Sequence, residues 1–510
     1  MKTINKLSTL IMVALVGFTF QSCEDFLEQE IPGRAPVEEF YSTEEDVLQA
    51  TTAAYDLLQY HFSNGWASPY LVKTLPSDES NAGGSSLGDQ PGYQTLDNYT
   101  FDSNNGAILG YWKMAYYGIY RANLVINNTE PDTDLKERLI AEAKCLRAYY
   151  YFELVTMFGD VPLVLNEVPP AEYSSTPRVA ASEVYAQIVD DLQSAIQSLP
   201  PKSAYGAGEK FRWSSGGAKA LLGKTYLYLE EWTNAASILD EVINSGEYAL
   251  EPYYGQIFTK EHEFGMESIF EVQFISEEAY NWGNFPWGEG RFQESNIHIQ
   301  LMGPRGDFYQ AAPGDSLMGG WGFNVPEPSM YQAFMDAGDV ERRINNLMSE
   351  EELRAMGGDW TNPDAYGYEG YIRRKYGTYS GETNLEGGAV GELNYATNFR
   401  IIRYADVLLM AAEAHIRDGN EGTGVDYIND VRDRAGLAPI DLSGQALVDA
   451  LILERQLELA FEGHRFRDLV RWGIADEVLA SEGFQAGKHE LLPIPIAEVR
   501  VAGLTQNPGY

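Results

Sequence analysis

Residues 276–300 concentrate side chains that together suit the binding of a sugar. The segment reads SEEAYNWGNFPWGEGRFQESNIHIQ and holds Tyr280, Asn281, Trp282, Trp287 and Arg291. A neutral sugar ring has an apolar C–H face and a rim of hydroxyl groups. Rigid aromatic rings pack against the face, and amide, carboxylate or guanidinium groups hydrogen-bond the rim. The composition predicts an open sugar-binding surface, with packing inside the protein as the alternative interpretation of the rings.

A second set of candidates lies earlier in the chain. Trp66 and Tyr93 stand near Asp78 and Asn81 in a stretch rich in Gly, Ser, Asp and Asn, and this composition predicts a long loop over 63–106. Two tryptophans in glycine-rich segments complete the list of candidate glycan-binding residues, namely Trp321 and Trp360. For each of them, packing in a core is again the alternative.

Patterns of catalytic residues are missing from the sequence. The six histidines are scattered without metal-ligand spacing, and no nucleophile elbow, phosphate-binding loop or dinucleotide fingerprint occurs. The 75 acidic residues are too many for any carboxylate pair to indicate a glycosidase. Asp102, Asn104 and Gly106 follow part of a calcium-loop spacing without the remaining ligands. We therefore predict no enzyme activity, no cofactor and no metal site.

The chain is strongly acidic, with a net charge of −39. Removal of residues 1–22 would take away two of the 36 basic residues and none of the acidic ones, which gives −41. Such a surface repels nucleic acid and anionic polymers, so the charge favours neutral ligands.

The first cysteine lies at the end of an export-type signal. Lys2 and Lys6 precede an apolar run over 10–20 that is too short to span a bilayer, and Ser22 leads into Cys23 as in a bacterial lipobox. The only other cysteine, Cys145, lies in a predicted core helix, which disfavours a disulfide. We predict that residues 1–22 are a signal peptide and that Cys23 is the lipid anchor.

Helical periodicity dominates much of the remaining chain. Apolar spacing predicts helices over 37–58, 111–125, 135–158 and 181–199. Residues 220–242 match the tetratricopeptide spacing, with Gly223 as a small residue where two helices meet, and 408–431 match it more weakly. Residues 251–400 lack such periodicity, are rich in Gly and aromatics, and include a β-like run at 267–275. The predicted fold is mainly α, with tetratricopeptide-like helix pairs and an irregular lobe that carries the ligand site.

Several long segments resemble the SusD/RagB family. They are RAYYYFELVTMFGDVPLV (147–164), FRWSSGGAKALLGKTYLYLEEW (211–232), IIRYADVLLMAAEA (401–414), ILERQLELAFEGHRFRDLVRWG (452–473) and LLPIPIAEV (491–499). The resemblance implies about four helix pairs in one domain over 23–510. The helical scaffold would lie mainly at 37–62, 107–250 and 400–475, and the loop-rich ligand lobe, with a few short strands, mainly at 63–106 and 251–400.

The family resemblance also implies a function. It points to a lipoprotein on the outer face of the outer membrane that binds oligo- or polysaccharide without catalysis. The glycan would pass to a SusC-type TonB-dependent transporter, and a glucan is favoured by analogy alone. A peptide- or protein-scavenging lipoprotein and a surface glycosidase remain as alternatives. The two candidate regions described above correspond to the ligand surface of the family.

Charged residues of the C-terminal motif recur at helical spacing. Each of seven such residues has another of the set three or four positions away, namely Glu454, Arg455, Glu458, Glu462, Arg465, Asp468 and Arg471. The spacing predicts salt bridges within one helix. Trp213 and Trp472 stand beside apolar helical runs and are expected to pack in the core.

Overall fold

Long helices occupy both ends of the described chain, and short elements lie between them. The structure is a computed structural model that describes residues 40–63, 67–287 and 293–510. The first helices are α1 (Glu44–Ser63), α2 (Pro69–Thr74), α3 (Pro91–Asp97), α4 (Gly106–Asn128), α5 (Asp134–Phe158), α6 (Ala181–Ile196), α7 (Ser215–Tyr228) and α8 (Trp232–Ile243). The later helices are α9 (Ile297–Met302), α10 (Pro328–Ala337), α11 (Val340–Asn346), α12 (Glu350–Ala355), α13 (Tyr404–Arg417), α14 (Glu421–Arg434), α15 (Gly444–Glu458), α16 (Arg465–Arg471), α17 (Ala475–Val478) and α18 (Ile496–Ala502).

The long helices form a row in which each one packs against the next. The order of contact is α1, α4, α5, α6, α7, α8, α13 and α14, so the row passes from α8 to α13 across 160 residues of short elements. The predicted mainly α fold is confirmed, and the helices predicted at 135–158 and 181–199 pack against each other as α5 and α6. None of the helices in the described ranges is long and apolar enough to cross a membrane.

Gly223 allows α7 and α8 to approach closely, as the repeat spacing predicts. A methyl group added at Gly223 would lie 2.5 Å from both Cγ and Cδ2 of Leu239 and 3.2 Å from Cγ2 of Ile238. These distances are below van der Waals contact, and Leu239 is fully buried. Larger side chains at position 223 would therefore separate the two helices.

Gly223→Ala is expected to lower the free energy of unfolding by about 1–2 kcal/mol. The strain of overpacking outweighs the gain in helix propensity that alanine brings. Gly422→Ala in α14 is the matched control, since an added methyl there meets nothing within 4 Å. Urea denaturation should show Gly422→Ala at or slightly above wild type. Equal stabilities for the two variants would contradict the assigned helix contact.

Short strands pair two by two, and each pair is antiparallel. The strands are β1 (Ser80–Gly83), β2 (Ser268–Val272), β3 (Tyr309–Gln310), β4 (Phe323–Pro326), β5 (Leu347–Ser349), β6 (Asp359–Trp360), β7 (Tyr371–Arg373) and β8 (Phe399–Arg403). Within the described residues the pairs are β1–β4, β2–β8, β3–β6 and β5–β7. The predicted run at 267–275 contains β2, which is buried throughout and contacts α1 and α7. Loop 276–300 therefore starts from a rigid base.

The stretch 63–106 is more regular than its composition predicts. It contains α2, β1 and α3 where a long loop was expected, so that prediction is wrong. The hydroxyl of Ser68 accepts a hydrogen bond from the backbone N–H of Tyr70 at 3.2 Å, and Pro69 and Pro91 lie in the first turns of α2 and α3. These are helix-start signals within a polar sequence.

Buried ion pairs connect the C-terminal helices to distant elements. Glu458 at the end of α15 accepts hydrogen bonds from Arg342 (2.9 Å), Arg403 (2.5 Å) and Arg434. Glu454 accepts from Arg342 at 2.7 Å. Burial opposes ionisation of Glu458, but the three guanidinium groups outweigh it and hold the pKa of this carboxyl below its usual range.

The charged residues of the C-terminal motif thus pair mostly with other elements, and not within one helix as their spacing predicts. The segment 452–473 forms two helices, α15 and α16, and most of its ion pairs reach other elements. Only the pair between Asp468 and Arg471 follows the local spacing. Buried charges need partners, and tertiary contacts supply them here. Trp213 lies in the core as expected, stacked on Phe270 with ring centroids 3.8 Å apart.

Candidate functional site

A tight turn shapes the start of loop 276–300. The backbone carbonyl of Asn281 accepts hydrogen bonds from the N–H groups of Asn284 (3.1 Å) and Phe285 (3.0 Å). The side-chain oxygen of Asn281 accepts from the N–H of Gly283 at 2.9 Å, and that of Asn284 accepts from the N–H of Asn281 at 2.6 Å. Asparagine and glycine are typical of such turns. The turn directs residues 282 and 287 to the surface.

Buried side chains support the turn from below. Tyr280 and Phe285 pack edge to face with ring centroids 5.3 Å apart, and only 8% and 5% of their surfaces are exposed. Asn394 holds the backbone of Tyr280 on both sides, since its oxygen accepts from the N–H at 2.7 Å and its amide donates to the carbonyl at 2.8 Å. The loop is therefore anchored to a segment more than a hundred positions away.

Trp282 and Trp287 form an exposed pair on this support. Their exposed fractions are 55% and 40%, their ring planes differ by 11° and their centroids lie 6.3 Å apart. Trp287 also contacts Phe285, with centroids 4.4 Å apart. Two large apolar rings of the same orientation in solvent offer flat faces against which the C–H face of a sugar can pack. Contacts with the buried base hold the exposed rings in place.

Trp321 lies beside the same support. It is half-buried, and it packs against the cluster that contains Tyr280, Phe285 and Leu393. Its backbone N–H donates to the carbonyl of Gln300 at 2.9 Å. The structure thus brings Trp321 next to the base of the tryptophan pair.

The candidates of the earlier region occupy structural positions. Asp78 makes two hydrogen bonds of 2.8 Å each with the guanidinium group of Arg465, and Tyr93 is 1% exposed with its ring edge against Phe323. Asn81 is half-buried in β1, in register with β4. The prediction that Asp78 and Tyr93 contact a ligand is not supported, because an ion pair and core packing already engage them.

Trp360 is a core residue rather than a surface ring. It is 3% exposed, its ring stacks on Tyr368 with centroids 4.0 Å apart, and its indole N–H donates to the carbonyl of Asn362 at 2.7 Å. This arrangement corrects the prediction of a ligand contact at Trp360. Three other predicted residues, Cys23, Trp66 and Arg291, lie outside the described residues.

The described residues of the site offer aromatic faces and hydrogen-bonding amide groups. Among the described residues of the pair and its direct supports, the titratable side chain is the buried phenol of Tyr280. Burial raises the pKa of that phenol, so it stays neutral. Within the described ranges, no group of three or more His, Cys, Asp or Glu residues is arranged to hold a metal ion. Asn394 could not be identified as a site residue from the sequence, because no local pattern marks it.

A row of helix pairs with an exposed aromatic site defines a helical-repeat binding protein. Comparison with known families identifies it further. The SusD family matches residues 341–510, and a SusD-like family described as starch-binding and associating with the outer membrane matches residues 25–227. The chain belongs to the SusD/RagB family.

Individual relatives match over nearly the full chain. A solved structure described as a laminarin-binding SusD-like protein is 34% identical, covers 92% of this chain and all of its own, and superposes with a TM-score of 0.83. Surface glycan-binding protein A from Bacteroides thetaiotaomicron, solved with laminarihexaose, is 26% identical over 91% of this chain and all of its own, with a TM-score of 0.77. SusD-like protein P2 of Formosa agariphila is 29% identical over 98% of both chains.

Proposed function

We propose that this protein binds a neutral glycan on Trp282 and Trp287 and does not cleave it. The observation that carries the proposal is the exposure of these two near-parallel rings on a loop whose base is buried. Natural sequences rarely leave two large rings side by side in solvent unless a ligand covers them. Hydrogen-bonding groups of the same loop would hold the hydroxyl rim of the sugar.

A β-1,3-linked glucan is the class of glycan that the relatives favour. The names of two structural relatives contain laminarin or laminarihexaose, and both share at least a quarter of their residues with this chain. The net charge of −39 acts against sulfated or uronate polymers, because they would be repelled.

The proposed setting is the outer face of the outer membrane. A lipid on Cys23 would anchor the protein, and captured glycan would pass to a SusC-type TonB-dependent transporter. The family description of outer-membrane association supports this setting. The lipobox-like sequence before Cys23 is the feature of this chain that supports it.

A glycan panel tests the proposed function. The chain starting at Glu24 is run in native gels that contain laminarin, starch, xylan, mannan or alginate. We expect laminarin to slow migration strongly and alginate to leave it unchanged. Samples incubated with laminarin should release no new reducing ends. Retardation by none of the polymers, or release of reducing ends, would contradict the proposal and favour peptide cargo or a glycosidase, respectively.

A further inference from the structure

A groove of about 730 Å³ runs along one side of α1. One wall is a single helical face, on which side chains recur at three- or four-residue intervals. These side chains are Gln49, Thr52, Ala53, Asp56 and Gln59. The opposite wall comes from β2, from the residues that follow it and from the later part of loop 276–300, with Gln273, Ile275 and Glu294.

The lining of the groove resembles that of a sugar-binding cleft. Amide, hydroxyl and carboxylate groups of the helix face can donate to and accept from sugar hydroxyls. Phe211 adds a half-buried ring, which packs edge to face on Tyr55 with centroids 5.2 Å apart. The guanidinium group of Arg212 lies over this ring at 4.9 Å. The groove thus combines a fixed apolar surface with a polar rim.

The charges around the groove favour a neutral ligand. Burial and, to a smaller extent, the neighbouring Glu294 raise the pKa of Asp56 to about 6, while Arg121 opposes the rise. The carboxylates of Asp56 and Glu294 lie on opposite walls of the groove. An anionic polymer would be repelled there, whereas sugar hydroxyls can donate to both carboxylates.

Hydrogen bonds and ring contacts connect the groove to the support of the tryptophan pair. The amide of Gln59 donates to the carbonyls of Glu294 (3.1 Å) and Gln273 (3.2 Å). The backbone N–H of Glu294 donates to the hydroxyl of Tyr280 at 3.3 Å. Tyr280 reaches Trp287 through the ring of Phe285. Two ring contacts thus connect the wall of the groove to the exposed pair.

We propose that the groove is a second subsite for the same glycan chain, which extends from the tryptophan pair onto the polar face of α1. This inference rests on the proposed function, and it predicts that long oligosaccharides gain contacts that short ones cannot reach. The occupant is a neutral glucan chain. The N-terminal segment 24–39 of the protein is the competing occupant that the experiment must distinguish.

Filling the groove tests the proposal. Ala53→Trp places a large ring between its walls, and Ala186→Trp on the exposed face of α6 is the matched control. Calorimetric titrations of the chain starting at Glu24 use laminaritriose and laminarihexaose. We expect Ala53→Trp to weaken hexaose binding about tenfold and to leave triose binding unchanged, with Ala186→Trp equal to wild type for both.

A second variant covers the case in which Ala53→Trp fails to fold. Asp56→Ala removes a hydrogen-bond acceptor without adding volume, and it should weaken hexaose binding several-fold with triose unaffected. Hexaose affinities equal to wild type in the folded variants would overturn the proposed groove subsite and leave the proposed function standing. A lower melting temperature of Ala53→Trp with unchanged glucan binding would also overturn the groove subsite. It would favour residues 24–39 as the occupant of the groove. A wild type that binds no glucan would instead overturn the proposed function and the groove together.

Discussion

Replacement of both Trp282 and Trp287 by alanine is expected to weaken laminarin binding by more than 100-fold. Each ring is a central, exposed anchor, and loss of such an anchor costs about 2 kcal/mol, or about 30-fold in affinity. Single variants should therefore show intermediate losses. Because both rings face solvent, the melting temperature should change little. Titration calorimetry with laminarin, together with thermal unfolding, measures both quantities.

Tyr253→Ala is the matched control for the tryptophan variants. Tyr253 is 64% exposed and lies before β2, outside loop 276–300. This variant should bind laminarin like wild type. If the double tryptophan variant keeps wild-type affinity, the binding surface lies elsewhere on the protein, and our assignment of the site is wrong.

Glu458→Gln is expected to have the largest effect on stability. The amide keeps the size of the side chain but removes the charge that pairs with Arg342, Arg403 and Arg434. Glu458 and all three arginines are almost fully buried, so their positive charges would lose a partner in a poorly solvated interior. Breaking such a cluster costs about 3–5 kcal/mol. Urea denaturation of the chain starting at Glu24 measures the loss.

A surface ion pair provides the comparison for Glu458. Glu241 pairs with Lys219 at 2.8 Å, and its side chain is 53% exposed. Glu241→Gln should therefore change the free energy of unfolding by less than about 1 kcal/mol. A Glu458→Gln variant as stable as Glu241→Gln would show that the buried network contributes little to the fold.

Local patterns in the sequence were sufficient to predict the main helices of the scaffold. Helical periodicity indicated α5, α6 and the α7–α8 pair, and the small residue at Gly223 indicated a close helix contact. These features arise from neighbours within a few turns, so their signals lie in short segments. The loop predicted over the polar stretch 63–106 is wrong, because composition alone does not reveal the short helices that Ser68 and two prolines start.

The residue types of the candidate ligand site could be identified from the sequence. Which of its side chains are exposed could not. The five candidate tryptophans have similar sequence surroundings, and yet Trp360 stacks in a core while Trp282 and Trp287 face solvent. Their exposure depends on residues that are distant in sequence, such as Asn394 beneath the loop. The same holds for Glu458, whose three arginine partners come from three other elements. Residue types and local spacing therefore determined the repeats and the chemistry of the loop. Only tertiary contacts decided which rings, charges and grooves are accessible, because burial depends on partners that no local pattern specifies.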